Sequence, residues 1–271
     1  MENQFIVKEI FIYPVKGLRG ISVSSSKVTE LGLANDRVYM IADQQGQLIS
    51  QRTHTELALM QVKRIENSWT INYQDEVLTI TDETISADKM NVEVWDMVFS
   101  CHEVSKTASS WFTRQLGLSC KLMMMPNKKT RLKVFSKPPF ETFLSFADGY
   151  PINILGTKSM ENLNQKLDEP IKANRFRSNI IIETNTPHEE DLWGDYMIGD
   201  VVRLRNIKPC VRCEVIAIDQ ELGKKGKEPL TTLATYRRQD NGVCFASNAI
   251  TLLDGEIKVG DSINIIDQDQ Q

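Results

Sequence analysis

Apolar and polar positions in the first hundred residues alternate in short runs bounded by turn residues. Phe5 to Val15 is rich in Ile, Phe, Val and Tyr and breaks at Lys16-Gly17. Val38 to Ala42 and Leu48 to Ser50 flank Asp43-Gln44-Gln45-Gly46-Gln47, which predicts a hairpin with glycine at the turn. Trp69 to Tyr73 and Val77 to Ile80 alternate around Gln74-Asp75-Glu76, a second hairpin. Then the period lengthens. Ala108, Trp111, Phe112 and Leu116 recur at helical spacing behind Ser105, an N-cap residue, and Gly117 ends the helix. That helix is expected to cover the first β-domain.

From Lys121 to Phe146 the texture changes. Met123-Met124-Met125-Pro126, Asn127 to Arg131 and Ser136-Lys137-Pro138-Pro139 read as an extended linker or surface loop, with the three Met as gap-filling residues. A domain boundary near residue 123 divides the chain into units 1–122 and 123–271. In the second unit Thr157 is expected to cap a short helix carrying Met160, Leu163 and Leu167, stopped before Pro170. Asn179 to Glu183 reads as a buried strand. Ile198-Gly199-Asp200 and Val259-Gly260-Asp261 each turn into a β-run, Val201 to Leu204 and Ser262 to Ile266. Pro229, with Leu230 and Leu233, fits a helix start. Many short strands and few helices predict an α+β fold that is mainly β, with two barrel-like units.

A length of 271 residues is enough for roughly two domains. With 41% hydrophobic and 25% charged residues, disorder, collagen and coiled coil are excluded on composition. No apolar run approaches the ~20 residues of a membrane span. Met1-Glu2-Asn3-Gln4 does not open a signal peptide, so no membrane partner, anchor or targeting segment is expected. Lys and Arg number 32 against 36 Asp and Glu, a net charge of −4 that argues against nucleic-acid binding. The five cysteines, at 101, 120, 210, 213 and 244, are odd in number and scattered. That pattern favours a reducing cytoplasm over a disulfide framework. His54, His102 and His188 are too few for a His-rich metal site.

The sharpest chemical feature is Lys208-Pro209-Cys210-Val211-Arg212-Cys213. Two cysteines so spaced can close a disulfide, hold half a zinc site, or present one thiolate. Zinc wants four ligands, and no second pair accompanies this one. Redox chemistry of the thioredoxin type wants a helix after the motif, whereas Glu214 to Ile218 reads as a strand. A single reactive or metal-bound thiolate, favoured by Lys208 and Arg212, is the better functional reading. Two small buried side chains beside a strand remain the plain alternative. A second feature is a set of basic residues next to turns: Lys16-Gly17, Asp36-Arg37, Arg52 and Arg175-Phe176-Arg177-Ser178-Asn179. Such residues can converge on a phosphate, or remain solvated surface charge. G-x-G-x-x-G, P-loop and G-x-S-x-G signatures are absent. Glu189-Glu190-Asp191 reads as a solvated turn and His188 as a surface residue.

In order and spacing the chain resembles the MOSC superfamily, in the two-part form typified by the mitochondrial amidoxime-reducing components and their bacterial counterparts. The resemblance rests on Ile12-Tyr13-Pro14-Val15-Lys16-Gly17, Gly32 with Asp36-Arg37, Gln51-Arg52, and Ala173 to Asn179. It continues through Trp193, Ile198-Gly199-Asp200, Pro209 to Cys213, Glu228 to Leu233, Tyr236-Arg237 and Lys258-Val259-Gly260-Asp261.

The resemblance implies a molybdenum cofactor (molybdopterin) between the two units, with Cys213 as the protein ligand to the metal; a soft thiolate suits it. Lys16 and Arg37 match positions holding the pterin phosphate, with Gly17 and Arg52 nearby. Arg177, Ser178 and Asn179 match pterin contacts, Asp148-Gly149-Tyr150 a loop lining the cavity, and Asn248 a compatible further position. Asp148 joins Cys213 as a catalytic candidate, and no pyridoxal phosphate site is expected. The implied reaction is reduction of small N-hydroxylated compounds. No C-x4-C-x2-C run is present, so electrons are expected from a separate flavin or iron–sulfur protein. A non-enzymatic carrier of the cofactor or of sulfur is the main alternative, and a β-barrel protein without cofactor a third.

Overall fold

Successive side chains of a strand face opposite sides, and a register shift between Val7 and Glu9 brings Val7 onto the face of Ile10 and Ile12, so Phe5–Ile12 commits one face to a core. Six further strands carry matching residues: Ile152 and Ile154, Ile180 and Ile182, Tyr196 and Ile198, Val202 and Leu204, Ala249, and Ile263. They close into a barrel around these side chains. The computed structural model, which describes residues 5–81, 86–95, 97–125, 131–136, 139–239 and 242–266, orders its strands Ile152–Gly156, Ile180–Glu183, Phe5–Ile12, Ser262–Ile266, Asp195–Ile198, Val202–Val211 and Gly242–Leu253. The last pairs back onto the first, with Ile152 opposite Ala249 and Ile154 opposite Ser247. Only Ile152–Gly156 with Ile180–Glu183 is parallel; closure removes the sheet edges that would otherwise be open to pairing.

A second apolar layer covers the barrel's outside. Leu155, Ile181, Phe176, Ile216, Leu233 and Phe245 pack there beneath two helices, α2 (Thr157–Asn164) and α3 (Leu230–Tyr236). Remaining strands of the first half form a five-stranded sheet: Lys89–Val94, Met97–Glu103, Cys120–Met124, Tyr39–Asp43 and Val15–Lys16. Beside it lies a three-stranded sheet of Gln61–Ile65, Ser68–Tyr73 and Glu76–Thr81. α1 (Lys106–Leu116) buries Trp111 and Phe112, their rings edge to face at 5.0 Å. The two halves share strands: Phe5–Ile12 stands in the barrel and Ser25–Thr29 pairs with Gly255–Lys258.

The expected mainly-β fold with few helices is the observed one, three α-helices being present among the described residues. α1 starts and stops where its caps require: Ser105 Oγ accepts from Ala108 N at 3.1 Å, and Gly117 takes φ 66°. The hairpin about residue 74 forms in full, with Tyr73 opposite Glu76. The turn Asp43–Gln47 forms too, but its far side contributes only the bridge Ala42–Leu48.

Other expectations are corrected. The stretch from 121 to 146 is not an unstructured linker: it holds Cys120–Met124, Leu132–Ser136 and Pro139–Phe143, and Met123 is fully buried. Met1–Gln4, Pro126–Thr130 and Lys137-Pro138 lie outside the described residues. Thr157 does not cap α2. Its hydroxyl accepts from Thr184 N, and the helix start is held by Glu190, whose carboxylate accepts from Gly156 N and Ser159 Oγ. Leu167 lies beyond the helix. Glu189–Asp191 is therefore no solvated turn: Glu190 is fully buried, and Asp191 pairs with Arg237. The strand expected at Val201 to Leu204 runs on to Val211, while Glu214–Ala217 is a 3-10 turn rather than a strand.

His188 is not a surface residue either. Its ring meets Phe245 edge-on at 5.7 Å, its Nδ1 is buried without a partner, and burial, reinforced by Arg237, lowers its pKa from 6.5 to about 4. Between those values the unfolded chain binds the proton that the fold rejects, so stability is complete above about pH 6.5 and falls as pH drops toward 4. Thermal midpoints measured from pH 7 to pH 4 are expected to fall along this interval. His188→Asn, which tolerates the left-handed backbone found here (φ 63°), is expected to give a flatter curve. An unchanged slope would show that His188 does not carry the effect.

Candidate functional site

Val15–Lys16 pairs in parallel with Tyr39–Asp43, and this short pairing drives Lys16 inward to 7% exposure. Its Nζ donates to the Phe146 carbonyl and to Asp148 Oδ1, each at 2.6 Å. Burial lowers the Lys16 pKa, and Asp148 opposes the shift. Gly17 turns the chain at φ 95°, and its carbonyl accepts from Gln51 Nε2 at 2.7 Å. The adjacent Arg52 is thereby held at the same opening.

Tyr13 stands at the centre of the basic residues. Its ring is buried between two guanidinium groups, Arg37 at 4.6 Å and Arg177 at 4.4 Å from the ring centre. Its hydroxyl donates to the Ser178 carbonyl at 3.1 Å, and burial raises its pKa to about 12. Both arginines adopt φ 53°, a left-handed backbone that non-glycine residues enter at a cost. Buried Asp36 accepts from Tyr13 N and from Arg37, and Arg37 Nη2 donates to the Arg177 carbonyl at 3.1 Å. Arg37 in the first half and Arg177 in the second are thus tied directly.

Four cations, Lys16, Arg37, Arg52 and Arg177, share this region with two carboxylates, Asp36 and Asp148. Arg177 Nη1 is buried with no hydrogen-bond partner among the described residues, and burial lowers the Arg177 pKa to about 10. An unpaired buried N–H is costly, and an oxyanion would satisfy it. Asp148 is exposed. Its partial burial opposes ionisation, but Lys16, Arg37 and Arg52 outweigh that and hold the carboxyl well below the usual range. Burial raises Tyr150 to about 12, with Cys210 adding to the effect. Lys133 and Lys208 lie over the Tyr150 ring at 5.5 and 5.7 Å, and Gly149 packs against Lys133 Nζ.

Cys213 is exposed at the end of Val202–Val211, where the chain enters the 3-10 turn Glu214–Ala217. Its charge partner is not the expected one. Arg212 points inward and donates to the Phe245 and Phe176 carbonyls and to Asn153 Oδ1, at 2.7, 2.8 and 2.8 Å. Lys208 lies over Tyr150 instead. The Arg52 guanidinium, from the first half, interacts with Cys213, which helps to raise the Arg52 pKa against the opposing effect of burial. Among the described residues no three His, Cys, Asp or Glu cluster in a way that could hold a metal ion.

Ser178, Asn179 and Asn248 converge on Asn153. Ser178 Oγ donates to Asn153 Oδ1 at 2.6 Å, Asn153 N to Asn179 Oδ1 at 3.1 Å, and Asn153 Nδ2 to Asn248 Oδ1 at 3.2 Å. All three side chains are buried, so they brace the turn carrying Arg177. The sequence reading passed over Asn153, Trp95 and Arg131. Arg131, taken as part of a linker, is 2% exposed and donates to the Ser145, Ala147 and Asp148 carbonyls, fixing the loop that presents Asp148. Trp95 Nε1 donates to Asp148 Oδ1 at 3.2 Å, and its ring lies 5.3 Å from the Arg52 guanidinium. A cleft of about 310 Å³ opens between Arg52, Trp95 and Asp148. A larger hollow of about 500 Å³ beside Tyr13, lined by Glu9, Phe11 and Lys172, holds none of the thiol-side residues.

Matches to two family models along this chain place it in the MOSC superfamily. Residues 4–119 match the MOSC N-terminal beta barrel domain and residues 142–264 the MOSC domain. Among curated proteins it is similar to Mitochondrial amidoxime-reducing component 1 of Mus musculus, 27% identical over 281 residues that span 97% of this chain and 82% of that protein. The Homo sapiens protein of the same name is 27% identical over 284 residues, 97% and 83% of the two chains. Molybdenum cofactor sulfurase of Oryza sativa subsp. japonica is 28% identical over 276 residues, 92% of this chain but 33% of that longer protein.

The unpartnered Arg177 nitrogen yields a direct test. Inorganic phosphate or pyrophosphate added to cofactor-free protein is expected to raise its thermal midpoint. At ten times the dissociation constant the gain is about 1.4 kcal/mol, or roughly 3–6 °C for a chain of this size. Arg177→Met and Arg37→Ala are each expected to abolish most of the gain; an equal shift in all three proteins would place the anion elsewhere.

Proposed function

We propose that the protein is a molybdenum-cofactor-dependent oxidoreductase that reduces N-hydroxylated compounds, using electrons from a separate flavin or iron–sulfur protein. The observation that carries the reading is the buried, unpartnered Arg177 nitrogen within a cation excess that adjoins an exposed thiol. The names of similar curated proteins, amidoxime-reducing components, point the same way. Dividing the chain into units 1–122 and 123–271 assigns Lys16, Gly17, Arg37 and Arg52 to the first and Arg177 and Cys213 to the second. The cofactor site then lies between them, a common place for a ligand.

In this reading Cys213 ligates the metal, and Lys16, Gly17, Arg37 and Arg177 hold the terminal phosphate. When bound, the cofactor supplies two-electron redox chemistry at a thiolate-ligated metal. The net reaction converts N–OH to N–H and releases water, consuming two electrons and two protons. Arg52 sets a permanent positive charge against Cys213 Sγ, the complement of a thiolate. Asp148, ionised at neutral pH, can accept a proton but not donate one. It holds Lys16 Nζ and the Trp95 indole in place. Ser178, Asn179 and Asn248 keep the Arg177 turn in register through Asn153, and Gly149 and Tyr150 line the loop beside them. Among the described residues no helix is long and apolar enough to cross a membrane.

A second reading, a carrier of the cofactor or of sulfur on Cys213, draws on the match to Molybdenum cofactor sulfurase. Turnover separates the two. Cys213→Ser is expected to lose activity and much of its molybdenum, while Cys210→Ser keeps a substantial share of both; the reverse pattern would overturn the assignment of Cys213. Reduction of benzamidoxime is expected with an artificial one-electron donor, or with a supplied reductase and electron carrier, and not with NADH alone. No turnover with any donor at full molybdenum loading would favour the carrier reading.

A further inference from the structure

Trp95 breaks three local preferences at once. It occupies a turn between Lys89–Val94 and Met97–Glu103, whose register pairs Val94 with Met97. Such turns favour Asn, Asp and Gly, yet here an indole is held at φ 56°. It is also 53% exposed, whereas Trp69, Trp111 and Trp193 are buried. Packing does not account for it, because an asparagine would suit the turn better. Violations of this kind are retained where the side chain does something else.

What surrounds the ring says what that is. Its Nε1 is bonded to the Asp148 oxygen that also binds Lys16, which fixes the indole at the mouth of the site. The Arg52 guanidinium lies 5.3 Å from the ring centre and also interacts with Cys213. Leu48 and Val94 add apolar wall to the 310 Å³ cleft, whose size suits a single small ring system. An exposed aromatic face beside a planar cation is a stacking surface for flat π-systems.

We infer that Trp95 is a specificity-determining residue: a platform on which planar, ring-bearing N-hydroxylated substrates stack, with the N–OH group toward Arg52. This rests on the reductase reading for the word substrate, but not for the stacking itself. Substrates that carry a flat ring beside the N–OH group are the favoured class, and hydroxylamine, which has no ring, gains nothing from the platform.

The test uses molybdenum-loaded full-length protein, with Trp95→Asn and Trp95→Phe as variants. In the wild type, benzamidoxime is expected to quench the red-edge tryptophan emission that belongs to the exposed indole. Calorimetry is expected to show roughly tenfold weaker benzamidoxime binding by Trp95→Asn, the loss of one stacking contact, with most affinity restored in Trp95→Phe. The ratio of kcat/KM for benzamidoxime to that for hydroxylamine is expected to fall by a similar factor in Trp95→Asn. Equal affinities in wild type and Trp95→Asn would overturn the inference. So would loss of molybdenum from Trp95→Asn, which would make the indole part of the cofactor's hold. If binding changes as stated while no form turns over either compound at full loading, the stacking platform stands and the reductase reading falls.

Discussion

Two guanidinium groups packed against one buried phenol ring repel each other, and the rest of the site is arranged around that repulsion. Tyr13 supplies the ring, Arg37 one cation and Arg177 the other. Asp36 neutralises the first and bonds to Tyr13 N, so one carboxylate serves both backbone and side chain. Nothing comparable neutralises Arg177, and its Nη1 remains buried and unpartnered. The stack joins the two halves of the chain, because Tyr13 and Arg37 precede residue 40 while Arg177 and the Ser178 carbonyl belong to the barrel side. An anion that satisfies Arg177 therefore also strengthens the contact between halves.

The thiol side is organised by a different economy of hydrogen bonds. Arg212 spends its donors on the Phe245 and Phe176 carbonyls and on Asn153, which stiffens the strand end behind Cys213. Asn153 in turn fixes Ser178, Asn179 and Asn248. This network leaves Cys213 exposed on a rigid base, with Arg52 reaching it from the other half. Asp148 and the loop clamped by Arg131 complete the opening.

Much of this is legible in the sequence where the physics is local. Ser105 and Gly117 delimit α1 because capping depends on a few adjacent atoms. The hairpin about Gln74 forms because alternation and turn residues lie within one short stretch. Basic residues beside turns stood out, and Arg37 and Arg177 prove to be in left-handed backbone there. What stayed hidden is non-local. Arg212 reads as the natural partner of Cys213 from adjacency, yet its guanidinium is drawn inward to the Phe245 and Phe176 carbonyls and Asn153, and a residue 161 positions away interacts with Cys213 instead. Glu190 reads as solvated because its neighbours are acidic, but the start of α2 needs an acceptor and finds it there. Arg131 sits in a basic run that resembles a linker, and only the folded loop shows three carbonyls converging on it.

The account's central claim is that Cys213 is the one protein ligand of a metal-bearing cofactor seated among these cations. Molybdenum K-edge X-ray absorption on the loaded protein tests it most directly, comparing wild type with Cys213→Ser loaded to measurable occupancy. The account predicts that the variant loses one molybdenum–sulfur contribution and that the cofactor's own sulfur contributions persist. Superimposable spectra from the two proteins would contradict it.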